Sequence, residues 1–352
     1  KPIVFSRETT EKPQVENIID FSNDNNIWYV FSEFFYYKLK YKNKLKQFFK
    51  KNISYFTLMS KIYNEITIIT VLYNSSEIVE SFFDSLKNFK IVAVDNGKNE
   101  KILNKIQNYK NIKVISKNKN LGYGRAINFA FENVSTNFFL LLNPDLSIDV
   151  NSIENMLNIL NQHSDCGIVA PVTLPDKDFY GAFPEKNIKN VNSSSALKSR
   201  ELLLNSMIEG ELCVDVAKGC ALLISAKHFE NIGKFDEKYF LFWEEIDLCR
   251  KFRSKKTSVI ITPKSKAHHN QGKSSKSNIQ NFLTKTFHNE YSPLIYFNVQ
   301  KFTVHHFKKI MKYFFRGFSY LLILNIKKSM TNFIKLTANI RYFFDLRSSS
   351  KK

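Results

Sequence analysis

Three carboxylates, Glu244, Glu245 and Asp247, crowd into the aromatic run FLFWEEIDLCRKF at 240–252. Apolar surroundings raise a carboxylate's pKa, which suits one of the three to take a proton from a substrate hydroxyl. The same acids also suit the first turn of an amphipathic helix, where the dipole favours negative charge. Another acid, Asp145, lies at the end of FFLLLNPDL at 138–146. There it could bridge a hard divalent cation to a diphosphate. Asn143-Pro144-Asp145 is equally a plain turn, since all three residue types favour turns. Asp95 follows KIVAV and precedes Asn96-Gly97, so it either accepts hydrogen bonds from a nucleobase or ribose or belongs to a turn.

Gly122 and Gly124 in NKNLGYGRAIN at 118–128 precede a helical pattern. Backbone there can approach a phosphate or sugar, and the helix N-terminus favours anions. The third glycine of the dinucleotide fingerprint is missing, which disfavours a nicotinamide cofactor. His268 and His269 come just before NQGKS and read as a metal or phosphate contact, or as surface loop imidazoles. The seven His and four Cys make no zinc-site spacing.

These residues need a scaffold, and the chain between 65 and 150 supplies one. Ile66–Leu72, Lys90–Val94, Ile112–Ser116 and Asn137–Leu142 are short apolar runs that predict strands. Ser75–Leu86, Glu100–Tyr109 and Gly124–Glu132 carry helical spacing between them. Apolar strands alternating with helices imply parallel pairing with both faces covered. Ligands of such sheets sit beyond the carboxyl ends of the strands. The residues just past those ends are Tyr73-Asn74, Asp95-Asn96-Gly97 and Asn143-Pro144-Asp145. Polar and acidic groups from three strands thus gather on one edge.

The ends of the chain differ from this middle. Residues 1–60 hold no placeable motif, and 27–51 is aromatic and basic. The formal charge is +20, yet 281–352 alone hold thirteen Lys and Arg against two acidic residues. Within that region Phe307, Ile310, Met311, Phe314, Phe315, Phe318, Leu321 and Leu322 share one helical face, with Lys308, Lys309, Lys312 and Arg316 off it. That is the build of an interfacial anchor, and packing on the domain or on a second subunit explains the same stripe. The run from Phe318 to Ile326 is too short to span a bilayer, and no signal peptide is recognisable. The cysteines, 166, 213, 220 and 249, lie in apolar stretches and are expected to be reduced core thiols.

Taken in order, the motifs resemble the family-2 glycosyltransferases of the GT-A fold, and most closely their rhamnosyl- and galactofuranosyl-transferase branch. The matching segments are ITIITVLYN, IVAVDNG, NKNLGYGRAIN, LLLNPD, KGCALLIS, GKFDEKYFLFWEEIDLCRK and HNQGKS, spread from about 65 to 275. The resemblance implies a mostly parallel, Rossmann-like α/β domain over 61–281, between an extension at 1–60 and basic amphipathic helices at 282–352.

The resemblance also implies roles. Tyr73, Asn74, Asp95 and Asn96 would hold the nucleotide, and Gly122, Gly124, Asn128 and Asn143 would line the nucleotide or donor sugar. Asp145 takes the last position of the family's acidic metal motif and His269 assists it, so Mg²⁺ or Mn²⁺ is implied. Asp236, Glu237 and Trp243 match the acceptor side. The family usually has Glu-Asp where this chain has Glu244-Glu245, followed two residues on by Asp247. Glu245 is one methylene longer than the usual base, enough to move a carboxylate by about an ångström.

The expected function is inverting transfer of a sugar from a nucleotide-diphosphate donor to a glycan or lipid-linked hydroxyl, in surface polysaccharide synthesis. The expected place is the cytoplasm, on the inner face of its membrane, with an anionic membrane surface and not nucleic acid as the further partner. A nucleotidyltransferase is one alternative, and it would release pyrophosphate instead of a nucleoside diphosphate. The other is a non-enzymatic basic protein bound to membrane or nucleic acid; nucleic-acid binding would fall steeply with salt.

Overall fold

The computed structural model describes residues 59–73, 78–97, 100–106, 108–174, 182–183, 210–269 and 278–349. The chain divides into two compact units, Lys1–Met59 and Ser60–Lys352. Apart from Met59, everything described belongs to the second. The expectations for the N-terminal segment, for Asn74 and for NQGKS lie outside the described residues, as does the Ser/Asn-rich stretch at 190–199, whose composition reads as a loop.

Strand β1 (Ile66–Leu72) is buried almost throughout, as a β-branched run covered on both faces must be. It pairs in parallel with β2 (Lys90–Asp95), Leu72 opposite Asp95, and on its other side with β4 (Phe138–Leu142). Strand β3 (Ile112–Ile115) continues the parallel set beyond β2. Helices α1 (Val79–Ser85), α2 (Glu100–Ile106) and α3 (Tyr123–Phe131) make the crossovers. Parallel neighbours end on the same edge, so β1, β2 and β4 bring Tyr73, Asp95 and Asn143 together.

The rest of the sheet departs from the parallel pattern. After β5 (Leu146–Ile148), helix α4 (Val150–Gln162) and β6 (Cys166–Leu174) come β7 (Ala182–Phe183), β8 (Leu212–Cys213), β9 (Val216–Ala217) and β10 (Ala221–Ser225). Strand β10 lies antiparallel between β4 and β6. It therefore starts at the edge where β4 ends, and Asn143 N donates to Cys220 O at 3.0 Å across that junction. Helices α5 (Ala226–Asn231) and α6 (Glu244–Ser254) lead to the long strand β11 (Ser258–His269). The sheet order is β3-β2-β1-β4-β10-β6-β11-β5, with β8 beside β11. In the last pair His269 stands opposite Leu146.

Phe131, Phe139, Phe229 and Phe235 form an edge-on aromatic knot between α3 and the sheet, with centroids 4.9 to 5.7 Å apart. Such contacts add about 0.5–1.5 kcal/mol per pair to plain area burial. Phe235 in this knot ties the loop ahead of α6 to the core. Cys166, Cys220 and Cys249 are buried, and burial pushes their thiols up to about 11, 11 and 12. Cys213 corrects the expectation of four core thiols: it is exposed, on the short strand β8 beside β11.

The C-terminal region is helical, as the sequence predicts: α7 (Ile279–Tyr296), α8 (Val304–Leu322) and α9 (Ile326–Ser349). Helix α8 packs on α9 through Gly317, where a Cβ would come 2.9 Å from the Phe333 ring. Ser329 Oγ donates to Gly317 O at 2.9 Å in the same contact. Among the described residues, no helix is long and apolar enough to cross a membrane.

Candidate active site

Asp95 ends β2 and is buried; Gly97 N donates to its Oδ1 at 3.2 Å. Asn96, next along, knits the edge together. Its amide donates to Asn120 Oδ1 at 2.9 Å and to Gly122 O at 3.0 Å, while its oxygen accepts from Leu121 N at 2.7 Å. The Asn96 side chain is therefore committed to the glycine loop.

That loop needs its glycines for different reasons. Gly122 has φ +79°, and a Cβ there would sit 2.1 Å from Phe240 O. The close approach lets Tyr123 N donate to the same Phe240 O at 3.0 Å, joining the start of α3 to the loop before α6. At Gly124 a Cβ would meet Phe235 Cβ at 3.0 Å. Asn128, one turn on, exchanges two hydrogen bonds with the Phe235 backbone at 3.0 and 3.1 Å. Arg125 Nε donates to Glu237 O at 2.6 Å. Asn128 thus holds the loop at Phe235 ahead of α6, with its amide taken up by that work. Asp236 Oδ1 accepts from Lys238 N at 2.9 Å in a local turn, and Glu237 is exposed.

Tyr123 is the residue that reading the sequence did not single out. Its hydroxyl donates to Gly219 O at 2.7 Å and lies 2.9 Å from Asn143 Oδ1. Burial and the charges of Cys220, Glu244, Glu245 and Asp145 hold the phenol well above its ordinary pKa. Gly219, whose carbonyl takes the Tyr123 hydroxyl, also lies against the Glu245 side chain. The available signal was an aromatic between two glycines at a helix start.

Asp145 follows β4 by three residues and is buried. Its Oδ2 lies 3.4 Å from His269 Nε2, a consequence of the register that sets His269 opposite Leu146. His268 precedes it on the same strand.

The acidic cluster opens α6 on unusual backbone. Phe242 and Trp243 both have positive φ, +64° and +71°, which bulky side chains rarely adopt. Strain of this kind costs on the order of 1–3 kcal/mol per residue and persists only where the surroundings enforce it. Here the Trp243 ring lies 5.3 Å from Tyr296 and 5.6 Å from Phe297. The turn delivers Glu244 and Glu245 to the site together. Gly219 faces Glu245 closely enough that a Cβ would stand 3.0 Å from Glu245 Cβ.

The three acids differ in their surroundings. Burial and then the charge of Glu245 push Glu244 well up. Burial also raises Glu245, but backbone N–H groups at the head of α6 and Lys218 favour its charged form. Of the pair, Glu245 is the one with more groups around it that favour a negative charge. Glu244 Oε2 and Glu245 Oε2 are buried and accept no hydrogen bond among the described residues. Asp247 is bound through Oδ1 by Arg250; burial raises it against the pull of that guanidinium. Arg250 in turn donates to Tyr296 O at 3.0 Å and lies 4.1 Å over the Tyr296 ring. Asp247 is thus locked into the support of α6.

Residues 67–225 match the model of the Glycosyl transferase family 2. A low-salt glycan biosynthesis hexosyltransferase, Agl10 of Haloferax volcanii, is 26% identical over 59% of this chain and 68% of its own length. An N-acetylglucosaminyl-diphospho-decaprenol L-rhamnosyltransferase of Mycobacterium tuberculosis is 22% identical over 59% of this chain and 77% of its own. An uncharacterized glycosyltransferase of Rickettsia typhi is 27% identical, and the match spans 58% of it. The solved mannosyltransferase PcManGT of Pyrobaculum calidifontis, in complex with GDP-Man and Mn²⁺, covers 81% of this chain and 75% of its own at 13% identity; its TM-score of 0.48 is too low for any conclusion. The β1-to-β10 core that carries Asp95, Tyr123, Asp145 and Gly219 is the part of this chain that matches the Glycosyl transferase family 2.

Proposed function

We propose that this chain moves a sugar from a nucleoside-diphosphate donor to a hydroxyl of a glycan or lipid-linked acceptor, with inversion, in the synthesis of a surface polysaccharide. The observation that carries this reading is the junction at Gly219: Tyr123 donates to its carbonyl and contacts Asn143, two residues ahead of Asp145, while Glu245 at the start of α6 faces its Cα. Displacement at an anomeric carbon needs charge stabilised at the leaving diphosphate and a proton acceptor beside the attacking hydroxyl. Two acidic centres meeting at one sheet edge suit that division.

The nucleotide is assigned to Tyr73 and Asp95, with the Gly122–Gly124 backbone bordering the donor. Glu245 takes the acceptor proton as its oxygen attacks, and attack opposite the leaving group in one displacement inverts the centre. Glu244, whose charged form is disfavoured by burial and by its neighbour's charge, shapes the pocket beside it. Asp247 and Arg250 hold α6 so that Glu245 stays in place.

Asp145 and His269 offer a divalent cation one carboxylate and one imidazole, and no group of three such side chains occurs among the described residues. Mg²⁺ commonly binds through one or two protein groups together with substrate phosphates. A two-donor set therefore fits a metal that arrives with the diphosphate. Bound there, Mg²⁺ or Mn²⁺ would supply positive charge against the developing diphosphate. The mycobacterial relative is named for a diphospho-decaprenol-linked acceptor, which supports a lipid-linked acceptor here. Supply of nucleotide sugars places the reaction in the cytoplasm.

The test is a panel of nucleotide sugars with purified full-length protein and Mn²⁺, reading thermal shift and released nucleoside diphosphate. One donor should stabilise the protein in a metal-dependent way and release its diphosphate slowly. Release of pyrophosphate instead would assign a nucleotidyltransferase, and no stabilisation by any donor would remove the transferase reading.

A further inference from the structure

The surface of α8 and of its turn into α9 poses a separate question. Phe307, Phe314, Phe315, Phe318, Leu321 and Leu322 are all exposed, at spacings that set them along one side of α8. The exposed apolar surface runs on past the helix end. Leu322 is 83% exposed, Ile323 69% and Leu324 81%, with Ile326 also exposed. The inward side of α8 is a different surface, with Gly317 against Phe333 and Tyr313 donating to Glu290 at 3.0 Å.

The charges sort in the same way. Glu290 and Asp345 are the acidic residues of the region 281–352. Both are turned to the joints between helices. Glu290 is met by Tyr313 and Lys309 of α8 and by Asn339 of α9. Asp345 is met by Tyr291 of α7 and Arg341 of α9. Lys309, expected on the outer basic face, is thereby spent inside. Lys308, Lys312, Arg316, Lys327 and Lys328 stay exposed along the border of the apolar surface and at the hairpin turn. An apolar ridge bordered by cations and free of carboxylates is complementary to a lipid surface with anionic headgroups. A second copy of this chain would have to bring the same cations against its own.

We propose that the α8–α9 hairpin inserts its apolar ridge, tip foremost at Leu322–Leu324, into the interface of an anionic membrane, and that this seats the active site over a lipid-borne acceptor. The seating follows from α7. Ser292 Oγ donates to Leu241 O at 2.9 Å, and Tyr296 carries Trp243 and Arg250. The hairpin is thus joined through α7 to the loop that presents Glu244 and Glu245. Lipid binding itself stands on the hairpin; only its meaning for the acceptor rests on the glycosyltransferase reading.

Sedimentation of the full-length protein with vesicles of phosphatidylcholine, with and without phosphatidylglycerol, tests the proposal without any sugar donor. The protein should pellet with the anionic vesicles. The double substitution Leu322→Ser/Leu324→Ser and the triple substitution Lys308→Gln/Lys312→Gln/Arg316→Gln should each lower the apparent partition constant about tenfold or more. Both variants should keep native circular dichroism and nucleoside-diphosphate binding with Mn²⁺. Native protein left in the supernatant, or variants that pellet like the native chain, would overturn the proposal. So would a dimer in analytical ultracentrifugation that Leu322→Ser/Leu324→Ser returns to monomer, since it would assign the ridge to a second copy. Loss of nucleotide binding with lipid binding intact would instead count against the transferase reading alone.

Discussion

Glu244 and Glu245 are adjacent in sequence, yet their surroundings give them different work. Lys218 and the N–H groups at the head of α6 favour the charged form of Glu245, so it is the base in our assignment. Its pKa is raised by burial, and a base must be ionised to act. The acid limb of kcat/KM should therefore lie above the ordinary carboxylate range near pH 4.3. Glu245→Gln should lower kcat by about 10²-fold or more, the usual scale for a lost general base. Glu245→Asp should keep part of the rate, and full activity of Glu245→Gln would remove the assignment. Glu244 makes the opposite kind of prediction. Its folded pKa is raised, so its contribution to stability is full below the unfolded value of about 4.3 and is lost as pH rises through the folded one. Glu244→Gln removes that loss. The variant should gain in Tm over the native chain at pH 8 and gain less at pH 5, with roughly 1–3 kcal/mol at stake for a buried charge without a partner. Equal shifts at both pH values would show that Glu244 is not neutral in the native fold.

Elements bring these residues together, and much of that was legible. The β-branched run at 66–72 and the apolar runs at 90–95 and 138–142 could be read as buried strands because both faces are covered and periodicity gives way to a continuous apolar stretch. Their shared carboxyl edge followed from parallel pairing. The antiparallel seat of β10 was not legible, because five buried residues with no alternation read the same in either direction. Nor was Tyr123, whose partners Asn143 and Gly219 are 20 and 96 residues away. The positive φ at Phe242 and Trp243 was hidden for a similar reason: nothing local favours it, and Tyr296 at the end of α7 and Phe297 just past it hold the Trp243 ring. Gly122, in contrast, was visible as a glycine, and the structure supplies its reason. Gly122→Ala must move Phe240 O away or give up the Tyr123 N bond, since its Cβ would fall 2.1 Å from that oxygen. We expect a loss of stability of about 2–4 kcal/mol, at the top of the range for single substitutions, read as a lowered midpoint in urea. Activity should fall with it, because the same bond joins the start of α3 to the loop that leads into Glu244 and Glu245.

On the scale of the whole molecule, charge and chemistry are kept apart. The excess of cations is concentrated in the C-terminal fifth, and the paired acids of the site lie on the sheet edge and α6. Helix α7 touches both, so the two ends of the reaction are joined through one element. This arrangement predicts which kinetic constant should feel salt. Cations on an exposed border act on a membrane at long range, and raising salt from about 0.1 M to 1 M shortens the screening length from roughly 10 Å to 3 Å. A contact ion pair on a buried carboxylate, such as Asp247 with Arg250, is screened far less. With an acceptor carried in anionic vesicles, the apparent KM should rise steeply over that range while kcat changes little. With a short soluble acceptor, both constants should stay nearly flat. If KM for the soluble acceptor rose as steeply as for the vesicle-borne one, the cations would be acting on the substrate or the nucleotide. The C-terminal helices would then be part of the binding cleft and not its tether.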